Sequence, residues 1–385
     1  MKMIAFGTLL TVLMFSGTLS GVTLRVPSQY ATIQEAVDAC NAGDEILIAS
    51  GTYGGSTELP LVSISGKHGL TLRSETGNES TVLAGGSSVL IISDSYDINV
   101  QGLTLANGFV QNVLITGSAG VSIRDCSIAD GSNPGDQKGG ICIESPQSLG
   151  GLYYFEVSNS RICGNNGPGI SSDFSQPWYD NHAYIISDNE ICNNSSSGIR
   201  LQEWLLSFPS PVSEIKRNKI HHNGWAGIHL NSTRSSIIEG NLVYRNDGCG
   251  IYAAGWVSVR NNTIAANGND GIQWAGSMIP TIERNIIVSS GNAGIRGDPR
   301  GVPIVDCNDV WNNMSGNYVN AAPSSSDISV DPLFCGISLD DYSLYSSSPA
   351  LHLDCGTMGA IATSGCGAQT AVQPSTWGSI KAMYR

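Results

Sequence analysis

Three side chains with complementary chemistry occupy the same position of a repeated sequence in the middle of the chain. They are Arg200 in "GIRL", His229 in "GIHL" and Tyr252 in "GIYA". A guanidinium can bind a sugar carboxylate, an imidazole can take a proton, and a phenol can protonate a leaving oxygen. The same residue types are common on any solvated strand, so a functional and a purely structural interpretation both stay open. Whether the three could act together depends on the structure of the repeat.

The repeat is visible in five segments that begin with asparagine and later contain a Gly-Ile pair. Successive leading asparagines are separated by 29, 23, 21, 23 and 23 residues, at Asn189, Asn218, Asn241, Asn262, Asn285 and Asn308. A fixed period in this range indicates a repeat architecture. The apolar residues between them alternate in short bursts, which favours strands over helices. A leucine-rich repeat would need leucines that the segments lack.

About 22 residues form three short strands and three turns, and the resulting flat coils would stack about 4.8 Å apart. The 46 glycines and the low charged content of 13% suit a chain that turns every few residues. The sequence therefore predicts an all-β parallel β-helix of about ten coils of 21–29 residues. We expect the asparagines to stack at tight turns, adopt a left-handed backbone and bond one another between coils.

The two ends of the chain differ from the repeats. Residues 1–20 contain an early lysine, an apolar run and small residues near Ser20, as a secretory signal peptide does. Thr32 is placed to cap a short helix that we expect to end at Gly43 and to cover the first coil. "DPLF" (331–334) and residues 341–362 form a closing segment.

These features resemble the right-handed parallel β-helix proteins of the pectin-lyase-like superfamily over about residues 22–365. The resemblance implies a right-handed β-helix domain over 21–365, with an N-terminal capping helix and a C-terminal cap. Residues 366–385 are then a linker and a short basic tail, for which a frayed terminus and a cell-surface attachment both stay open. We expect a monomer, because a signal peptide and two caps do not suit a trimeric phage-type spike.

Ten cysteines fit an oxidising compartment and a secreted or cell-surface location. Cys163 and Cys192 fall on adjacent coils, where they could pair or simply pack. Four more could staple the C-terminal end, with a connectivity that the sequence leaves open: Cys307, Cys335, Cys355 and Cys366. A zinc site is disfavoured because the chain has no CxxC motif. No segment after the signal peptide is apolar enough to span a membrane.

In the superfamily that the chain resembles, "GIxL" corresponds to the first strand of each coil, and this strand face forms the floor of the substrate groove. The resemblance implies an outward row that reads Cys142, Ser171, Arg200, His229, Tyr252, Gln273 and Arg296. Our catalytic candidates are Arg200, His229 and Tyr252, with His229 facing solvent and apart from His221 and His222. The substrate-binding candidates are Arg296, Gln273, Asp173, Trp178 and Trp204. The two tryptophans lie in insertions, where stacking on sugar rings and packing on other loop residues are equally compatible with the sequence.

No catalytic motif of that superfamily is present. The chain lacks the paired aspartates and Gly-His-Gly of its polygalacturonases and the Asp-Pro-His of its alginate epimerases. No cofactor is therefore predicted, although Asp173 and Glu144 could contribute to a calcium site. No metal ligand is assigned.

The net charge of −13 and the pI near 4.8 argue against nucleic acid as a partner. The predicted function is binding of an extracellular polysaccharide on the first-strand face, with cleavage by β-elimination left open. The alternative is a non-catalytic β-helix that serves as a cell-surface or extracellular scaffold or adhesin. The sequence does not settle whether the protein is an enzyme.

Overall fold

The structure is a computed structural model that describes residues 21–132, 138–144, 153–173, 182–203, 212–351, 354–361 and 364–367. The predicted signal peptide and most of the predicted tail lie outside these residues. Short strands succeed one another around the coil and stack in parallel on three faces, which we call the first-, second- and third-strand faces. The prediction of an all-β parallel β-helix is confirmed.

The first-strand face contains Val62–Ser65, Ser88–Ser93, Gln111–Thr116, Ile141–Glu144, Ile170–Asp173, Ile199–Glu203, Ile272–Trp274, Ile295–Arg296 and Tyr318–Val319. The second-strand face contains Thr23–Val26, Glu45–Ile48, Thr71–Ser74, Tyr96–Gln101, Ala119–Arg124, Tyr153–Ser158, His182–Ser187, Ser213–Lys216, Thr281–Glu283 and Ile304–Asp306. Two long strands run across both faces and join them into one 21-stranded sheet: Ile228–Glu239 and Ile251–Arg260.

The third-strand face is a separate 11-stranded parallel sheet, so the described chain completes about as many coils as the repeats predict. Its strands are Gly51–Gly55, Thr81–Gly85, Thr104–Ala106, Ser127–Ala129, Arg161–Cys163, Glu190–Cys192, Lys219–His221, Leu242–Tyr244, Thr263–Ala265, Ile286–Val288 and Asp309–Trp311. Apolar residues alternate with polar ones along the strands, so every second side chain points into the coil. These side chains form a continuous core along the axis.

The asparagine ladder holds successive coils in register. The side-chain amide of Asn218 donates to Oδ1 of Asn241 at 2.9 Å and to the carbonyl of Ile186 at 2.8 Å. Corresponding amide-to-amide bonds link each leading asparagine to the next from Asn189 to Asn308, and all of these asparagines are buried. Buried polar groups are stable only when they are hydrogen-bonded, so the ladder is an integral part of the core.

One detail of the prediction for the leading asparagines is wrong. The left-handed residue at each turn is the one before the ladder asparagine, as in Arg217 with φ 54°. The preceding residue makes the bend, and the asparagine itself keeps its side chain directed along the stack. A second ladder occupies the following turn, where Asn194 donates to Oδ1 of Asn223 at 2.9 Å.

A short helix, Ile33–Ala39, covers the first coil as predicted. Thr32 caps it in a capping box with Glu35, and its apolar face joins the core of the β-helix. The helix ends at Ala39 and not at Gly43, because the backbone is already extended at the C-cap residue Cys40.

The C-terminal segment folds back along the third-strand face. It comprises strands Phe334–Gly336, Asp341–Tyr345 and Ser364–Cys366 and two 3₁₀ helices, Ile337–Leu339 and Pro349–Leu351. Tyr342 packs on Tyr244 with ring centroids 4.9 Å apart. The disulfide Cys307–Cys355 joins this segment to the coils, Cys335–Cys366 links two parts of the segment, and a third disulfide joins Cys163 to Cys192. Among the described residues, no helix combines the length and apolar character needed to cross a membrane.

Candidate functional site

The outward row from Cys142 to Arg296, which we call the candidate row, lies on the first-strand face in the predicted register. Arg200 is paired with His229 and His229 with Tyr252, and the row continues through Gln273 to Arg296. The residues on either side of each member, such as Ile228 and Leu230 beside His229, are buried in the core. The members of the row therefore project away from the core, about 4.8 Å from one coil to the next.

His229 does not face solvent, contrary to the prediction, and only 7% of it is exposed. The ring centroid of Tyr252, on the next coil, lies 4.8 Å from the centroid of the imidazole. The ring centroid of the Trp225 indole lies 4.6 Å from it, and both contacts are edge to face. Trp225 comes from the turn that precedes the strand, and strand periodicity alone gives no information about such a neighbour. The Nδ1 atom of His229 is buried and has no hydrogen-bond partner.

The environment of His229 keeps its imidazole neutral. Burial, together with the positive charge of Arg200, lowers the pKa of His229 to about 4. At neutral pH the ring is therefore uncharged, which is the protonation state from which a general base starts. A polar atom that is buried without a hydrogen-bond partner costs free energy, and Nδ1 of His229 is such an atom.

Arg200 and Tyr252 flank this base on the two neighbouring coils. The guanidinium of Arg200 donates from Nη2 to Oε1 of Gln202 at 3.2 Å, and both Arg200 and Tyr252 are partly exposed. The row thus brings a cation, a neutral base and a phenol together in consecutive coils.

The far end of the row is bonded to protein groups. Nε of Arg296 donates to Oδ2 of Asp270 at 2.8 Å, and Asp270 is 2% exposed. Gln273 accepts a hydrogen bond from the thiol of Cys249 at 3.2 Å. A substrate carboxylate would have to compete with Asp270 for Arg296, so Arg200 is the better placed of the two cations.

The remaining substrate-binding candidates are only partly described. The backbone of Asp173 lies between those of Glu144 and Gln202 in the sheet, but its side chain is outside the described residues. Trp178 and Trp204 also lie outside them. Glu144 forms an ion pair with Lys138 at 2.7 Å.

A second group of polar side chains lies on the third-strand face. Cys163, Cys192, His221 and Tyr244 succeed one another in register on four coils. The ligand atoms of Cys163, Glu190 and Cys192 lie within 4.8 Å of one another, but the two sulfurs are bonded to each other. His221 stacks on Tyr244 at 4.7 Å, and His222 occupies the adjacent turn with φ 55°. As predicted, neither converges with His229.

Trp225 is the member of the site that sequence reasoning missed. Its signal is present in "NGWAGIHL", where an aromatic residue comes three positions before the strand. It is 45% exposed although it contacts a buried histidine.

Comparison with known proteins supports the fold. Residues 139–310 match the family model described as "Right handed beta helix region". Pectate lyase Pel9A is similar in structure, with a TM-score of 0.53, 13% sequence identity and coverage of 86% of this chain and 90% of that one. The alginate lyase from Paenibacillus sp. str. FPU-7 has a TM-score of 0.51 and 18% identity, covering 77% and 99%. No curated protein sequence matches the chain.

The chain thus has the right-handed parallel β-helix fold that the resemblance implied. Structural similarity at identities this low establishes the architecture only, and the reaction has to be argued from the site.

Proposed function

We propose that the protein is exported, binds an acidic polysaccharide along the first-strand face and cleaves it by β-elimination. The observation that carries this proposal is the neutral, nearly buried His229 between Arg200 and Tyr252. Two similar structures are a pectate lyase and an alginate lyase by name, and they support the same class of substrate. The three disulfides fit an oxidising, extracytoplasmic location.

The row contains the groups that the reaction requires. Arg200 binds the uronate carboxylate and offsets the negative charge that develops when the neighbouring C5–H bond breaks. His229 accepts the C5 proton. The C4–O4 bond then breaks, a C4–C5 double bond forms, and Tyr252 protonates the departing O4 oxygen. Every proton and electron pair is accounted for, and no oxidant or reductant is consumed.

The charge distribution agrees with a localised acidic ligand. The protein as a whole carries −13, so a polyanion is attracted only where cations are concentrated. Arg200 provides such a charge at the centre of the row, next to the base. A calcium ion held by Glu144 and Asp173 would add a second positive charge at one end of the row.

The test is incubation with polygalacturonate and with alginate, each with calcium and with a chelator. Cleavage by β-elimination produces an unsaturated uronate, which is measured by its ultraviolet absorbance. We expect an absorbance increase on at least one polymer. Binding without an increase would remove the lyase reaction, and absence of binding to any acidic polymer would favour the non-catalytic scaffold.

A further inference from the structure

Trp225 occupies a position where the other coils have small or polar residues. Its backbone lies in a ladder of turns, with its N–H donating to Ser196 at 3.2 Å and its carbonyl accepting from Gly248 at 2.8 Å. The same ladder continues through Asn269 and Asn292 with equivalent backbone bonds. The turn therefore forms equally well without an aromatic side chain, and the indole needs another explanation.

The indole is partly exposed and also contacts the candidate row. It is 45% exposed, and its ring meets the imidazole of His229 at 4.6 Å and 77°. Gly248, the ladder neighbour on the following coil, has no side chain, and a Cβ there would lie 2.9 Å from the backbone of Trp225. That neighbour therefore puts no side chain beside the indole.

An exposed aromatic face at the edge of a polar site is suited to a sugar ring. The C–H face of a pyranose packs on a flat apolar surface, while its hydroxyls remain available to water and to polar groups. Burial of the exposed part of the indole on binding is also favourable, because it removes apolar area from water.

We propose that Trp225 forms a pyranose-binding subsite on the third-strand side of the row, where one sugar ring stacks on the indole while the next reaches Arg200 and His229. The subsite rests on the proposed function, because its ligand is a ring of the same acidic polysaccharide chain.

The structure provides a matched control for this proposal. Trp256 is 47% exposed, close to the value for Trp225, but it lies on the second-strand face, paired with Ser235. Replacing it removes a comparable exposed indole from a different surface. Comparison of Trp225→Phe with Trp225→Leu then shows whether binding needs a flat aromatic ring or only an apolar side chain.

Thermal unfolding first confirms that each variant is folded. Each variant is then titrated with oligogalacturonate and oligoalginate, and binding is measured by calorimetry and tryptophan fluorescence. We expect Trp225→Ala and Trp225→Leu to weaken binding about tenfold, Trp225→Phe to stay within about threefold, and Trp256→Ala to bind as the wild type does. Fluorescence quenching by the ligand should disappear in Trp225→Ala and persist in Trp256→Ala.

Two outcomes overturn the subsite in distinguishable ways. If the wild type binds but Trp225→Ala or Trp225→Leu binds equally well, the subsite is wrong and the proposed function stands. If the wild type binds neither probe, the proposed function fails and the subsite fails with it.

Discussion

Two histidines from the single stretch "NKIHHNGWAGIHL" lie on different faces of the β-helix and differ in how their ring atoms are used. His221, on the third-strand face, is 9% exposed, and His229, on the first-strand face, is 7% exposed. Nδ1 of His221 lies 2.9 Å from Nδ1 of His222, and its Nε2 lies 3.3 Å from Oε1 of Glu190. Nδ1 of His229 has no partner.

The charged neighbours of the two rings also differ. Burial is the main cause that lowers the pKa of both histidines. At His221 the carboxylate of Glu190 opposes this effect and the ammonium of Lys219 adds to it. At His229 the guanidinium of Arg200 adds to it. Burial alone thus does not separate a structural histidine from a functional one. We expect a hydrogen-bonded ring that packs beneath the C-terminal segment to be structural, and a ring with an unpartnered nitrogen between a cation and a phenol to be functional.

The largest expected effect is on turnover. His229→Gln keeps a polar side chain of similar size but removes the base, and we expect turnover on the cleaved polymer to fall roughly 10²-fold. The matched variant His221→Gln should turn over within about threefold of the wild type. Initial rates of ultraviolet absorbance give both values. Equal losses in the two variants would show that the contrast between the faces is wrong.

The second effect is on stability and concerns the other histidine. His221→Ala removes a buried ring that stacks on Tyr244 and bonds His222, and we expect it to lower the free energy of unfolding by about 2–3 kcal/mol. Urea unfolding followed by circular dichroism measures this change. A variant with unchanged stability would mean that His221 does not support the junction between the coils and the C-terminal segment.

The third effect is a pH dependence of stability that depends on His229. The fold favours the neutral ring, with a pKa of about 4 against an ordinary 6.5, so this contribution is complete above pH 6.5 and is lost as the pH falls toward 4. At pH 5 the loss amounts to about 2 kcal/mol. Because glutamine does not titrate, His229→Gln should lose less stability than the wild type between pH 7 and pH 5. Parallel losses in urea unfolding at the two pH values would contradict the neutral imidazole.

The smallest effect is on affinity. Arg200→Ala removes a charge-assisted bond to a substrate carboxylate, and we expect it to weaken binding of oligogalacturonate or oligoalginate about tenfold. Arg124, on the second-strand face, is the control, and Arg124→Ala should bind as tightly as the wild type. Calorimetric titration measures both. Unchanged affinity in Arg200→Ala would place the carboxylate elsewhere.

The architecture could be predicted from sequence because each coil repeats the same physical solution. The leading asparagines and the "GIxL" strands fixed the register of the row from Cys142 to Arg296, and every predicted pair along it is formed. The partners in the two C-terminal disulfides could not be predicted, because non-periodic segments bring Cys307 and Cys335 to their partners.

The site was less predictable for the same reason. Periodicity indicates that His229 points out of the core, but not that Trp225 arrives from the preceding turn and covers it. It also does not show that Asp270 binds Arg296, since Asp270 comes from a turn. Side chains that enter from turns determine burial and charge at the row, and turns are where the repeats differ most.

The most direct test of the account is a titration of histidine-labelled protein with oligogalacturonate and oligoalginate, followed by nuclear magnetic resonance of the imidazole signals. Both histidines are observed in one sample, so each serves as the control for the other. The account predicts that the signals of His229 shift and saturate with the ligand while those of His221 remain in place. Shifts confined to His221, or no shift at His229 at a saturating concentration of a ligand that the protein binds, would contradict a site on the first-strand face.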